Sequence, residues 1–151
     1  MRTLLFATGF FYLWIWVARA VQRLGLPLPE WTPAPGVVLL ALGSVLALAC
    51  IGTFVVRGKG TPAPFDAPRE FVAVGPYRYV RNPMYIGGAT MLAGFGLYLR
   101  SGSVVLFTAA WLGLAHLFVV LYEEPTLRSK FGAAYQSYCR AVARWMPRPS
   151  E

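Results

Sequence analysis

Long apolar stretches alternate along the chain with short segments rich in proline, glycine and charge. The apolar stretches run from Thr3 to about Val21, from about Gly36 to Val56, from Pro83 to Leu99 and from Ser103 to Tyr122. Each approaches the roughly 20 residues that an α-helix needs to cross the hydrocarbon core of a bilayer, the third being at the short end. The pattern predicts four transmembrane helices. Arg2 and Ala18-Arg19-Ala20 also suit a signal peptide, but Trp14 and Trp16 in the first stretch favour a retained helix. In the second, Gly43 and Ala47 form a small-residue face suited to close helix packing. Glu123-Glu124-Pro125 is expected to close the fourth helix, because the residue before a proline disfavours helical geometry.

Beyond it the period changes. Between Pro125 and Met146, the side chains of Leu127, Phe131, Tyr135, Tyr138, Val142 and Trp145 fall within an arc of about 80°. Lys130, Gln136, Arg140 and Arg144 lie opposite. This predicts an amphipathic helix that lies in the membrane interface or packs against the ends of the bundle. The expected fold class is all-α integral membrane: about four transmembrane helices plus a C-terminal interfacial amphipathic helix. A single membrane domain, 1–151, would comprise two N-terminal spans (1–56), a cytoplasmic loop (57–82), and two spans with the C-terminal helix (83–147).

Composition supports this reading. The chain is 57% hydrophobic and only 13% charged, against about 25% charged in soluble domains. Its net charge of +8 follows the predicted topology, which argues against a nucleic-acid partner. Eleven basic residues (Arg2, Arg57, Lys59, Arg69, Arg78, Arg81, Arg128, Lys130, Arg140, Arg144 and Arg148) fall on the side of the middle loop, and three (Arg19, Arg23 and Arg100) on the other. The positive-inside rule then places both termini and the middle loop in the cytoplasm, the membrane being the cytoplasmic one in a bacterial cell. Cys50 and Cys139 read as small apolar residues, and there is no metal-ligand spacing, nucleophile motif or dinucleotide fingerprint. Gly58-Lys59-Gly60 is too short for a phosphate loop.

Chemistry concentrates where the loop meets the third span, in Gly75-Pro-Tyr-Arg-Tyr-Val-Arg-Asn-Pro-Met-Tyr85. Gly75-Pro76 marks a turn. Asn82-Pro83 reads as an N-cap followed by proline at the first helical position. The expected topology brings Tyr77, Arg78, Arg81, Asn82 and Tyr85 to the same end as Glu123 and Glu124, with Arg140 and Arg144 of the tail. Arginines can hold a carboxylate, a glutamate can accept from ribose hydroxyls, and tyrosine faces can stack on a base or meet a cation. A belt of interfacial tyrosines and snorkelling arginines is the plainer alternative. His116 is an ionisable residue deep in the fourth span; Ala109, His116 and Glu123, spaced by seven, share a helix face.

These blocks, followed by Phe131-Gly132, Tyr135, Tyr138, Val142, Arg144 and Pro147, resemble the isoprenylcysteine carboxyl methyltransferase and phospholipid methyltransferase superfamily over about Gly58 to Pro147. The resemblance implies an integral membrane enzyme that takes S-adenosyl-L-methionine at the cytoplasmic ends of its last membrane helices and a lipophilic acceptor from the bilayer. By motif, Tyr77, Arg78, Arg81, Asn82, Pro83, Tyr85, Glu123, Glu124, Tyr135 and Tyr138 would shape the cofactor site, with His116 on the wall below Glu123. Arg144, with Arg140, would steer an acceptor carboxylate, and Glu123 would take a proton from an amine or thiol. Asn82 stands where the family often has histidine, and Ala133-Ala134 where a carboxylate is common. The acceptor remains open among an isoprenylcysteine carboxylate, a phospholipid amine and a small thiol or amine. A non-catalytic lipid- or partner-binding protein, or a membrane reductase related to sterol reductases, are the competing readings. The small-residue faces do not fix an oligomeric state.

Overall fold

A computed structural model of the chain describes residues 2–58 and 72–147. Half of the middle loop expected over 57–82, residues 59–71, therefore lies outside the described residues. The described residues form five helices and no strand: α1 (Arg2–Gln22), α2 (Pro33–Thr53), α3 (Pro83–Tyr98), α4 (Gly102–Phe118) and α5 (Glu124–Ala141). A π-helical turn, Phe54–Gly58, extends α2, and a second, Val119–Glu123, joins α4 to α5. Among the described residues, two continuous helical stretches, Pro33–Val56 and Gly102–Ala141, are long and apolar enough to cross a membrane. At 1.5 Å per residue, about 20 residues fill the hydrocarbon core. The apolar run from Gly102 through Tyr122 fills it, and the chain from Glu123 onward projects beyond.

Backbones of α2 and α3 are nearly in contact. A Cβ at Gly43 would stand 2.6 Å from the Met91 nitrogen, and one at Gly94 2.7 Å from that of Leu40. The small-residue face read at Gly43 and Ala47 thus packs within the chain, against Gly87 and Met91 of α3. On the other side of α3, Trp111 and Val104 of α4 join Leu92 and Ala18 of α1 in a buried cluster.

At one end of the bundle the α1–α2 and α3–α4 connections clasp. Leu28 N–H donates to the Arg100 carbonyl at 2.8 Å and Gly102 N–H to that of Leu26 at 2.7 Å. The Thr32 hydroxyl reaches the Leu97 carbonyl, and Arg100 pairs with Glu30 at 3.4 Å. At the other end, the Gly75–Arg78 turn docks on the last turn of α2, with the Phe54 and Tyr77 rings edge to face at 5.2 Å. Gly75 has φ +60, and a Cβ there would meet the Thr53 hydroxyl at 2.7 Å. Only glycine tolerates both.

Three expectations are corrected. Pro125 does not end the fourth helix. It sits in the first turn of α5, after the wide π turn; proline is tolerated in a first helical turn, and π turns accommodate such interruptions. The tail is not one amphipathic helix over 125–146. Gly132 adopts φ 51, ψ −124 and kinks α5, which ends at Ala141 with Val142 extended. Val142 and Trp145 therefore do not continue a helical arc, and residues 142–147 form a strap. The seven-residue face also fails: Ala109 is exposed, and the π turn shifts the register between His116 and Glu123.

Candidate active site at the helix mouth

The strap folds back onto the start of α3. Arg81 N–H donates to the Ala143 carbonyl at 2.9 Å, within an isolated parallel bridge between Val80 and Ala143. Asn82 occupies the N-cap position of α3, but its side chain makes no capping bond. Its Nδ2 donates instead to the Arg144 carbonyl at 3.2 Å. The amide that reads as a helix cap is in fact a tie to the strap. Pro83 is fully buried beneath it.

This placement delivers Arg144 to Glu124, 20 residues earlier in sequence. The guanidinium binds both carboxylate oxygens, Nε to Oε1 at 2.7 Å and Nη2 to Oε2 at 3.1 Å. Arg81 reaches Oε1 from the other side at 3.1 Å. Burial would raise the Glu124 carboxyl, but the Arg144 hydrogen bond and the Arg81 and Arg144 charges outweigh it and hold it below its ordinary value. The same hydrogen bond holds Arg144 above its own. Arg81 also donates to the Cys139 sulfur at 2.8 Å, while its buried Nε has no hydrogen-bond partner among the described residues.

A second polar set lies beside the first. Glu123 accepts from the Tyr85 hydroxyl at 3.1 Å. Burial pushes its carboxyl up to about 7; the Tyr85 hydrogen bond opposes the rise and the Glu124 charge adds to it. Adjacent glutamates thus have opposed characters, one a fixed anion and one a proton acceptor near neutrality. Trp145 inserts between α3 and α4. Its indole N–H donates to His116 Nδ1 at 3.0 Å, and its ring lies 6.4 Å from that of Tyr85. Tyr138 donates to the Tyr77 carbonyl, fastening α5 to the Gly75 turn. Burial raises the phenols of Tyr77, Tyr135 and Tyr138, so each is a neutral group at physiological pH.

Of the residues singled out from sequence, Tyr77, Arg81, Asn82, Pro83, Tyr85, His116, Glu123, Glu124, Tyr135, Tyr138 and Arg144 converge at this mouth. Arg78 and Arg140 do not. Both are exposed, and the Arg78 guanidinium lies over the Tyr79 ring. Sequence reasoning missed Trp145 and Cys139. Trp145 was assigned to the apolar arc of the tail, although its position next to Arg144 carries the signal. Cys139 carries no signal in sequence, because its contact with Arg81 joins residues 58 apart in the chain.

Bundled apolar helices, two of them in stretches long enough to cross a bilayer, define a helical integral membrane protein. Comparison with known proteins gives this class its family. The phospholipid methyltransferase family model matches residues 31–134, and the chain belongs to that family. It is 33% identical over 98 residues to human phosphatidylethanolamine N-methyltransferase, covering 62% of this chain. It spans about half, 49%, of the human protein's length. The matched region includes the Gly75 turn, both glutamates and His116, whereas α1, Tyr135, Tyr138 and the strap lie outside it.

Proposed function

We propose that the protein transfers a methyl group from S-adenosyl-L-methionine to a lipophilic, membrane-partitioned acceptor at the cytoplasmic ends of four membrane helices. The observation that carries this reading is the paired Glu123 and Glu124, one raised and one arginine-bound, at the end of a membrane helix in a chain of this family. The side chains fit the cofactor. The unpartnered, buried Nε of Arg81 suits its carboxylate, and Glu123 suits its ribose hydroxyls or ammonium. Tyr85 and Trp145 offer ring faces to a base or a sulfonium. The cofactor supplies an electrophilic methyl group on sulfur.

The protein's own contribution is placement and proton control. Arg81 and Arg144 fix Glu124 and thereby the strap, which excludes water from the mouth. Glu123 accepts the proton that an amine acceptor must lose before its nitrogen lone pair can attack the methyl carbon. Bound there, the cofactor would supply the methyl carbon and would retain the C–S electron pair as a neutral thioether. A carboxyl near 7 is a stronger base at neutral pH than an ordinary one. Among acceptors, a phospholipid amine is favoured by this base and by the family, and the human relative is by name a methyltransferase of this type.

The test is methyl-label transfer from S-adenosylmethionine by the purified protein to a membrane lipid extract and to phosphatidylethanolamine. Label is expected in the lipid phase, with Glu123→Gln lowering the rate by at least about 100-fold, the lower end of the range for loss of a general base. Unlabelled lipid, together with no thermal stabilisation by S-adenosylhomocysteine, would overturn the reading.

A further inference from the structure

Behind the mouth, at membrane depth, lies a recess of about 60 Å³ that is open on one side. Its walls are Trp14 and Ile15 of α1, Leu40 of α2, Met91 and Phe95 of α3, and Trp111 of α4. On this measure one water needs roughly 10–15 Å³, so the space holds several heavy atoms. The lining is almost wholly apolar, so the recess offers water no set of partners. Gly88 forms part of the wall, where a Cβ would stand 3.3 Å from the Trp111 ring.

The recess adjoins the mouth through one side chain. Trp111 lines it and also lies 6.2 Å, centroid to centroid, from the Tyr85 ring, whose hydroxyl binds Glu123. Along α3, Met91 is about 9 Å and Phe95 about 15 Å deeper than Tyr85, at 1.5 Å per residue. That is where a hydrocarbon chain would lie if its polar head were held at Glu123. One wall is also distinctive: Trp14 and Ile15 precede the family-matched region, which begins at residue 31. Trp14 is fixed there by ring contacts with Phe107 at 5.8 Å and Trp111 at 5.7 Å.

We propose that this recess receives the hydrocarbon chain of the methyl acceptor, and that Trp14 and Ile15 of α1 determine which chains fit. The proposal rests on the methyltransferase reading and deepens it. The mouth carries the reaction, while α1, which lies outside the family-matched region, selects the tail.

The experiment uses the full chain in lipid nanodiscs, with saturating S-adenosylmethionine and phosphatidylethanolamines of identical headgroup and different acyl length. Ile15→Trp narrows the recess from its partly exposed rim, where the larger ring is tolerated. It is expected to raise KM for long-chain acceptors by about tenfold, the equivalent of roughly two buried methylenes. KM for the shortest-chain acceptor and stabilisation by S-adenosylhomocysteine are expected to stay unchanged. Trp14→Ala, which widens the recess, shifts preference toward branched or bulkier chains. If that variant fails to accumulate, Ile15→Trp alone decides. A phosphatidylethanolamine with a photoreactive acyl chain is expected to label peptides containing Met91 or Phe95.

Methyl transfer that responds equally at every chain length, or labelling confined to other helices, overturns the proposal while leaving the methyltransferase reading intact. Absence of transfer to all acceptors and of stabilisation by S-adenosylhomocysteine overturns the underlying reading instead. Labelling at Met91 that competing acceptor does not reduce identifies a resident lipid and also overturns the proposal.

Discussion

Replacing Glu124 with glutamine tests the centre of the mouth. The carboxylate is 6% exposed and serves two guanidiniums, of which Arg81 is the more enclosed at 12% side-chain exposure. At 3.1 Å, with an effective dielectric near 20, the Arg81 attraction is about 5 kcal/mol before desolvation. Glutamine keeps the shape and one acceptor oxygen, which recovers about 1 kcal/mol. It leaves Arg81 buried without the only counter-ion seen among the described residues. Losing one partner of a buried pair costs about 3–5 kcal/mol, and the retained bond places Glu124→Gln near 3. Arg144 is 31% exposed, so water takes up part of its loss. Arg144→Ala should cost only about 1 kcal/mol. The double variant should resemble Glu124→Gln alone, because the one oxygen that glutamine retains serves the buried Arg81 and leaves Arg144 without an acceptor, giving a coupling of about 1 kcal/mol. Thermal unfolding in one detergent reads these differences. At about 2–4 °C per kcal/mol, Glu124→Gln should lower Tm by about 6–12 °C. A fall below about 2 °C, or strictly additive effects, would refute the view that this ion triad fastens the strap.

Further predictions concern pH and backbone. The Glu124 carboxyl is held below 4.5 in the folded protein, so its stabilisation is complete above pH 4.5 and is lost as pH falls through the lowered value. A Tm–pH profile should show that acid limb and lose it in Glu124→Gln. Glu123 has the opposite sign: with its folded value raised from 4.5 to about 7, stability present below 4.5 declines as pH rises through 7. Glu123→Gln should therefore raise Tm more at about pH 8 than at about pH 5. Gly43→Ala drives a Cβ to within 2.6 Å of the Met91 backbone and should cost about 1–3 kcal/mol. Gly52→Ala, with nothing within 4 Å, should be neutral or gain up to about 1 kcal/mol in the same assay. Gly132→Ala forces a side chain into φ 51, ψ −124, costing about 1–3 kcal/mol. It should lower methyl transfer by displacing Tyr135 and Tyr138, whereas full activity would show that the kink does not position them.

Sequence made legible what depends on local rules. The all-helical fold followed from uninterrupted apolar runs, and the convergence of the Gly75–Tyr85 block with Glu123 and Glu124 followed from counting spans. Two features escaped because they depend on competition between local preference and tertiary contact. Pro125 carries a strong local instruction to stop a helix, yet a π turn absorbs it and the chain continues. The heptad-like spacing of Leu127 through Trp145 reads as one helical face, but Gly132 bends the helix and the strap peels away. Asn82 shows the same competition at one residue: it occupies the cap position, and its amide serves the strap instead. The two acidic neighbours could not be ranked from sequence, since only the fold shows that both arginines reach Glu124 while Tyr85 takes Glu123.

The strap has a consequence for biosynthesis. Arg144 and Trp145 follow α1 to α4 in the chain, so these helices are synthesised before the mouth acquires either residue. Until then Glu124 lacks its bidentate partner and His116 its indole. A chain cut after Ala141 would keep all five helices and lack both ties at the site. Competence of the mouth thus depends on docking of the strap, a step that formation of the helices does not itself supply.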